Sequence, residues 1–186
     1  MIAGSVGISE SSGYQSGSNA YKKGDFVTAL QHWTIAAQKG EVVAQFNVAT
    51  MHFKGRGTPK NDRIAVKWYT LAAKQGYANA QFSLGLMYYN GNGVPTDADS
   101  AIKWYTLAAK QGNASVPHNL GFMYRTGMGV LKDTRTALKW YKAAAKQGNP
   151  ESERYLRMSG HRQYVVSTGT NSSGSRSRPG QCQLAK

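Results

Sequence analysis

The chain has 186 residues, which is enough for one domain with a continuous core. It contains 23 Lys and Arg against 9 Asp and Glu, and this net charge of +14 favours anionic partners such as nucleic acid, acidic protein, acidic polysaccharide or lipid headgroups. Its single cysteine, Cys182, excludes an internal disulfide, and no apolar run reaches the ~18 residues of a membrane span.

The N-terminal segment, residues 1–16, is rich in Ser and Gly and is predicted to be disordered. Its first ten residues lack the basic region and the strong apolar stretch of a signal peptide. We therefore expect no signal sequence in the chain as it stands. The compartment is left open, because an exported or periplasmic protein can have lost its signal from a longer precursor.

A 36-residue repeat follows a capping helix pair that is predicted over residues 17–39. The segment Lys-Trp-Tyr-Thr-Leu-Ala-Ala-Lys-Gln-Gly occurs at 67–76 and at 103–112, and a close copy occupies 139–148. A Gly-x-Gly motif recurs with the same period, at 55–57, 91–93 and 127–129. Two landmarks with one period indicate a repeat architecture, with full units at 41–75, 77–111 and 113–147.

Each unit is predicted to be a pair of helices, as residues 77–111 illustrate. Apolar residues at helical spacing predict a first helix near 77–89, and the glycines that start at Gly91 end it by accepting the left-handed conformation. Asp97 is then a suitable N-cap for a second helix near 97–111. The equivalent caps in the other units are Asp25, Asn61 and Asp133.

The chain ends with a last helix at about 149–159 and a basic tail rich in Ser, Gly and Arg at 160–186, which is predicted to be disordered. A single helix pair cannot bury its own apolar face, whereas three or more stacked pairs can. The sequence therefore predicts an all-α solenoid over residues 17–159, with about three full helix-pair repeats plus terminal caps.

The repeat unit resembles the Sel-one-like repeat, a longer relative of the tetratricopeptide repeat. The resemblance rests on the run from Ala80 to Tyr88, on the Gly-x-Gly-Val-Pro-Thr-Asp segment that ends at Asp97, and on Trp104-Tyr105 with Ala108-Ala109. It covers about residues 18–158. It implies a right-handed α/α superhelix whose first helices line a concave surface, and a scaffold or adaptor role, often in bacterial proteins.

Three departures from the repeat pattern stand out. Thr58-Pro59 and Asn61 replace the Val-Pro and Asp of the later unit. Pro117 lies near the start of the third unit's first helix, where it is predicted to shorten or tilt that helix. Some members of the family that the chain resembles carry cysteine pairs that bridge each helix pair, and this chain has none.

Residue types that can serve catalysis are explained better by structure. The Gly-x-Gly motifs follow helices rather than strands, so they are interpreted as helix caps and not as phosphate-binding loops. Three of the four histidines align with aromatic repeat positions and have no metal-ligand spacing. The acidic pairs 97/99 and 151/153 are typical of helix starts. We therefore expect a non-enzymatic protein without a cofactor or metal; an enzyme of unknown type is kept as the second alternative, and the role of Cys182 is left open.

Polar rows on the first helices are the leading candidates for partner binding, because the predicted core does not need them. Three repeat positions contribute, and the candidate concave residues are Asn47, Thr50, Lys54, Ser83, Leu86, Asn90, Asn119, Phe122 and Thr126. The aligned methionines of the same helices are interpreted as packing residues. The leading hypothesis is a scaffold or adaptor that binds a protein or peptide.

Lysine rows on the second helices support an alternative hypothesis. Two repeat positions seven residues apart carry Lys in every full unit, so both lie on one helix face. The candidate anion-binding residues are Lys67, Lys74, Lys103, Lys110, Lys139, Lys142 and Lys146. With the basic tail they would bind nucleic acid, acidic polysaccharide or a membrane surface, although a lysine face also keeps a repeat protein soluble.

Overall fold

The computed structural model describes residues 11–161, and every regular element in that part of the chain is an α-helix. The N-terminal helix pair is α1 and α2, and three further pairs and a final helix follow. The bounds are α1 Ser11–Lys22, α2 Phe26–Gln38, α3 Val42–Lys54, α4 Asp62–Lys74, α5 Ala78–Asn90, α6 Ala98–Lys110, α7 Val116–Thr126, α8 Thr134–Lys146 and α9 Pro150–Met158. The predicted all-α solenoid of helix pairs is confirmed.

The first helix begins at Ser11, six residues before the predicted start of the solenoid at residue 17. Packing explains the difference. The ring of Tyr14 stacks 6.3 Å from that of Trp33, and the Trp33 indole N–H donates to the Tyr14 carbonyl oxygen at 3.2 Å. Tertiary contact thus stabilises a helix that its Ser- and Gly-rich composition does not favour. The predictions of disorder for residues 1–10 and 162–186 lie outside the described residues.

The helix ends follow the predicted chemistry. The side chains of Asp25, Asn61, Asp97 and Asp133 each accept a hydrogen bond from a backbone N–H in the first turn of a second helix. Gly91 ends α5 at φ +73°, a left-handed conformation that a side chain disfavours. Helix α7 has 11 residues where α3 and α5 have 13, and it begins one residue before Pro117, so the predicted shortening is confirmed.

The second glycine of each Gly-x-Gly motif has a role other than capping. Gly93 follows the end of α5 and lies against the first turn of α4 in the preceding unit. A Cβ atom built on it would lie 2.5 Å from the Asp62 carbonyl carbon and 2.7 Å from the Arg63 nitrogen. Gly57 approaches Phe26 and Gly129 approaches Ala98 in the same way. These glycines allow backbone-to-backbone contact between successive units.

The core combines small residues, chiefly alanines, with larger aromatic, leucine, methionine and valine side chains. Ala101 and Ala108 of α6 are fully buried, and Tyr105 between them is 1% exposed. Gly85 of α5 faces the Tyr105 ring so closely that a Cβ would lie 2.7 Å from it. The half-buried Trp104 packs against a cluster of buried residues from α3, α4 and α5, so it joins its own unit to the preceding one. This alternation of large and small side chains is the one that the sequence predicts.

Buried glutamines also link the units. Gln45 donates to the Ala37 carbonyl oxygen at 3.2 Å and accepts from Gln75 at 2.8 Å. Gln81 and Gln111 repeat this arrangement one unit later, with 2.7 Å between their amide groups. Pro117 occupies the next equivalent position and has no side-chain donor, so the hydrogen-bonded link is not continued at the junction of α6 and α7.

Candidate functional site

The candidate concave residues project from α3, α5 and α7 onto one surface, which we call the first-helix face. Lys54, Asn90 and Thr126 end the three helices, and all three are exposed. The other six candidates are half-buried. The predicted residues therefore occupy equivalent places in the three units, and they differ in how much of each side chain is buried by its neighbours.

The half-buried polar residues contact tyrosines of the second helices. The Tyr69 hydroxyl of α4 lies 3.0 Å from the Thr50 hydroxyl of α3 and also forms a hydrogen bond with Ser83 of α5. Tyr105 of α6 forms the equivalent bond with Asn119 of α7. The expectation that the core does not need these rows was wrong at Thr50, Ser83 and Asn119, because their polar groups satisfy buried tyrosine hydroxyls.

Burial holds these tyrosines in the neutral form. Desolvation raises the pKa of Tyr69, and the hydrogen bonds with Thr50 and Ser83 oppose the rise. Desolvation also raises the pKa of Tyr105 well above its usual range, with the hydrogen bond to Asn119 opposing it. Each second helix thus presents an aromatic floor residue between two successive first helices, and the floor residues are Trp33, Tyr69, Tyr105 and Tyr141.

Two pockets open on the first-helix face above these floors. The central pocket, about 130 Å³ in volume, lies between α5 and α7 above Tyr105. Its lining residues are Leu86, Tyr89, Asn90, Tyr105, His118, Asn119, Phe122 and Met123. Four of the nine candidate residues contribute to it, so the structure brings together positions that the sequence placed in separate rows.

The N-terminal pocket lies between α1 and α3 above Trp33 and has a volume of about 150 Å³. Its lining residues are Tyr21, Trp33, Asn47, Thr50, Met51 and Arg56. Arg56 donates to the Tyr21 hydroxyl, and its guanidinium lies 5.9 Å from the centre of the Tyr21 ring and 5.7 Å from that of Phe26. Arg56 was not among the predicted site residues, because it follows the helix end and belongs to none of the repeat rows.

His118 has both aromatic and polar partners. His118 packs edge-on against Tyr141 at 5.7 Å, as the predicted aromatic replacement requires, and it also contacts the Ser152 hydroxyl at 2.9 Å and the Glu151 carboxylate at 3.1 Å. Burial lowers the pKa of His52. Within residues 11–161, no three His, Cys, Asp or Glu side chains are grouped so that they would hold a metal ion.

The lysine rows occupy the opposite side of the units, on the second helices. Six of the seven candidate lysines are exposed, and Lys142 is half-buried. The second helices also carry a row of exposed apolar residues that was not predicted: Ile35, Leu71 and Leu107 are 54%, 46% and 42% exposed. Their 36-residue spacing is visible in the sequence and could have revealed the row. Leu71 lies between Lys67 and Lys74 on one helix face.

In residues 11–161, the helices are too short or too polar to cross a membrane. The model of the Sel1 repeat family matches residues 12–41, 42–77, 78–113 and 118–149, so the N-terminal helix pair counts as a repeat and not only as a cap. None of the curated proteins compared with the chain matches it significantly.

Solved structures of the same architecture are similar to the chain. A protective antigen of uropathogenic Escherichia coli, c5321, which displays an SLR fold, is 32% identical with a TM-score of 0.76, over 81% of this chain and 33% of that protein. A Sel1 repeat protein from Oxalobacter formigenes is 34% identical with a TM-score of 0.71, over 78% and 58%. Helicobacter pylori cysteine rich protein B shares the fold, at 22% identity and a TM-score of 0.56, over 71% and 95%. The chain thus spans a third to somewhat over half of the first two proteins.

Proposed function

Because the chain belongs to the Sel1 repeat family, whose members are commonly protein–protein interaction scaffolds, we propose that it is a non-catalytic scaffold that binds a protein or peptide on its first-helix face. The observation that carries this proposal is the pair of pockets on that face. Each is floored by an aromatic side chain and edged by amide or hydroxyl groups. Apolar pockets with a few convergent polar groups are the usual form of a recognition site.

A capture experiment with two matched surface variants tests the proposal. One variant replaces the exposed row at the ends of the first helices, with Lys54→Glu, Asn90→Arg and Thr126→Arg. The other replaces three exposed lysines of the second helices, with Lys67→Ala, Lys103→Ala and Lys139→Ala. Proteins captured from the source cells are identified by mass spectrometry, and the affinity of the leading partner is then measured for each variant.

The proposal expects the leading partner to be lost with the first variant and kept with the second. Circular dichroism checks that both variants retain the helicity of the parent, which is expected because the substituted residues are exposed. Loss of the partner with the lysine variant alone would move the binding site to the second helices and would contradict the proposal.

A second candidate function is docking on an anionic membrane surface through the second helices. The observation that favours it is the exposed apolar row, because Leu71 and Leu107 each lie between two exposed lysines of their own helix. Lysines attract anionic headgroups by about 1 kcal/mol each, and interleaved apolar side chains add burial at the interface. The apolar row is a feature that a nucleic acid or polysaccharide would not use.

Vesicle sedimentation separates this candidate from the first. Binding should require phosphatidylserine, weaken as salt rises and fall with Leu71→Ser and Leu107→Ser. Leu131→Ser is the matched control, because Leu131 is 92% exposed and lies outside the rows. Equal sedimentation with neutral and anionic vesicles, or no effect of the two leucine variants, would refute membrane docking.

A further inference from the structure

The first-helix face carries four equivalent grooves, one between each pair of successive first helices, and they are not alike. In the groove between α3 and α5, the Tyr69 hydroxyl joins both helices through Thr50 and Ser83. In the groove between α7 and α9, the Tyr155 ring packs at a tilt against that of Tyr141 with 4.3 Å between ring centres, and Arg125 donates to the Tyr141 hydroxyl at 3.3 Å. Side chains of the chain itself therefore occupy these two grooves.

The two pockets lie in the other two grooves, between α1 and α3 and between α5 and α7. They occupy the same place in the repeat: Trp33, Asn47 and Met51 of the N-terminal pocket correspond to Tyr105, Asn119 and Met123 of the central pocket, each 72 residues later. The molecule thus presents two equivalent openings two repeats apart, with a filled groove between them.

The two pockets differ in chemistry. The central pocket is edged by Leu86 and Phe122, and its floor Tyr105 is 1% exposed. A cavity of about 150 Å³ holds a benzene-sized group, so a pocket of about 130 Å³ fits one large aliphatic or aromatic side chain. Part of the hydrogen-bonding capacity at its edge is already used within the protein, because Asn119 bonds to Tyr105.

The N-terminal pocket contains a cation. The Arg56 guanidinium lies over two aromatic rings, and Asn47 and Thr50 line the same pocket. Within residues 11–161, no carboxylate oxygen lies within 4.0 Å of Arg56. Arginine forms paired hydrogen bonds with a carboxylate, so this pocket is complementary to an acidic side chain.

The distance between the pockets determines the length of the ligand. Packed helices lie about 10 Å apart, so two repeat steps amount to roughly 20 Å. An extended chain advances about 3.3 Å per residue and spans that distance in about six residues.

We propose that the first-helix face binds an extended peptide at two points, with an acidic side chain on Arg56 in the N-terminal pocket and a large apolar side chain in the central pocket, about six residues apart. This inference rests on the proposed function and adds the chemistry and the spacing of the ligand.

Selection from a phage-displayed library of random 12-residue peptides on the immobilised full chain tests the inference. Enriched peptides should carry Asp or Glu and Phe, Leu, Ile, Met or Trp separated by five to seven positions, in one consistent order. For the leading synthetic peptide, measured by fluorescence anisotropy, replacing its acidic residue by the amide or its apolar residue by Ala should weaken binding at least about tenfold. These peptide changes leave the protein untouched.

Protein variants then assign each contact. Arg56→Gln should remove the preference for Glu over Gln in the peptide, whereas Arg63→Gln, which removes the same charge from an exposed site on α4, should not. Phe122→Ala should remove the preference for the apolar residue, with Leu131→Ala as its control. Thermal melts check that each variant is folded.

The outcomes separate the inference from the proposed function. Enriched peptides that lose affinity with the Lys54, Asn90 and Thr126 variant but lack the paired pattern would overturn the two-point inference and leave the proposed function standing. Peptides that bind the protein equally well after Arg56→Gln and Phe122→Ala would also overturn it. Failure to enrich any peptide would count against both.

Discussion

Replacement of Gly93 by Ala tests whether close backbone contact between units stabilises the solenoid. Gly93 has φ +72°, and the new Cβ would lie 2.5 Å from the Asp62 carbonyl carbon and 2.6 Å from its oxygen. The left-handed conformation costs a non-glycine residue about 1–2 kcal/mol, and a forced overlap in a packed region costs about 1–3 kcal/mol more. The contacting atoms are backbone, so no side-chain rotation relieves the overlap. We expect a total loss of about 2–5 kcal/mol.

Gly112→Ala is the matched control for this substitution. Gly112 has φ +79°, and a Cβ there would meet no atom within 4 Å. The control should therefore lose only the conformational part, about 1–2 kcal/mol. Urea unfolding monitored by circular dichroism measures both variants, and a loss of 1 kcal/mol corresponds to about 2–4 °C in melting temperature for a chain of this size.

The comparison has a clear refuting outcome. Equal destabilisation by Gly93→Ala and Gly112→Ala would mean that the contact with α4 contributes nothing, and that the second glycine of the motif serves only its own loop. A repeat array can also unfold in parts, so the slope of the urea transition is compared along with its midpoint.

Three further predictions concern helix ends and the tyrosine floors. Gly91→Val should destabilise the array by about 1 kcal/mol or more, since a β-branched residue replaces a left-handed cap; a variant that melts like the parent would contradict the cap assignment. Tyr69→Phe should cost about 1 kcal/mol in urea unfolding, because it leaves Thr50 and Ser83 without their shared hydroxyl partner, and an unchanged midpoint would mean that water replaces that partner at no cost. The hydrogen bonds from Ser100 lower the pKa of the Asp97 carboxyl below its usual value of 3.8. The ionised Asp97 therefore contributes its full stabilisation of the fold above about pH 4, and this stabilisation is lost as the pH falls through the lower pKa of the folded state. Asp97→Asn keeps the capping acceptor and should flatten this part of the stability profile below pH 4; urea midpoints that fall with acid as steeply as in the parent would place the acid sensitivity elsewhere.

The fold was predictable because the repeat supplies each signal several times. The four N-caps and the helix-ending glycines were predicted from local chemistry that recurs every 36 residues, and the structure confirms them. The early start of α1 was missed because its residues have low helix propensity, and the packing of Tyr14 on Trp33 across 19 residues is not visible in local sequence. The second glycine of each Gly-x-Gly motif was predicted to be only part of a helix cap. Its close contact with the preceding unit was not predicted, because the contacting residue lies about 31 residues earlier in the chain.

The candidate site was only partly predictable. Alignment of the units selected the first-helix face, and two of the residues that it selected, Asn119 and Phe122, line a pocket in the structure. The alignment treated equivalent residues of the three units as alike. In the structure, however, Tyr69 is bonded to hydroxyl groups of neighbouring helices, whereas the equivalent Tyr105 has a cavity above it. Arg56 could not be selected from the sequence, because its place in the pocket depends on contact with the rings of Tyr21 in α1 and Phe26 in α2. Both rings come from the preceding repeat, and alignment of the units does not show this contact.

These differences between units explain how one repeated framework can become specific for a partner. The floor residue is aromatic in every groove because the core requires a large side chain there, so the floor alone cannot distinguish ligands. The residues above it differ between units: Tyr155 fills its groove, Thr50 and Ser83 both bond to the Tyr69 floor, and the grooves at Asn47 and Asn119 are left open. Two open grooves separated by a filled one impose a spacing on the ligand as well as a chemistry. A change of Tyr155 would therefore alter which grooves are open while leaving the floor residues in place.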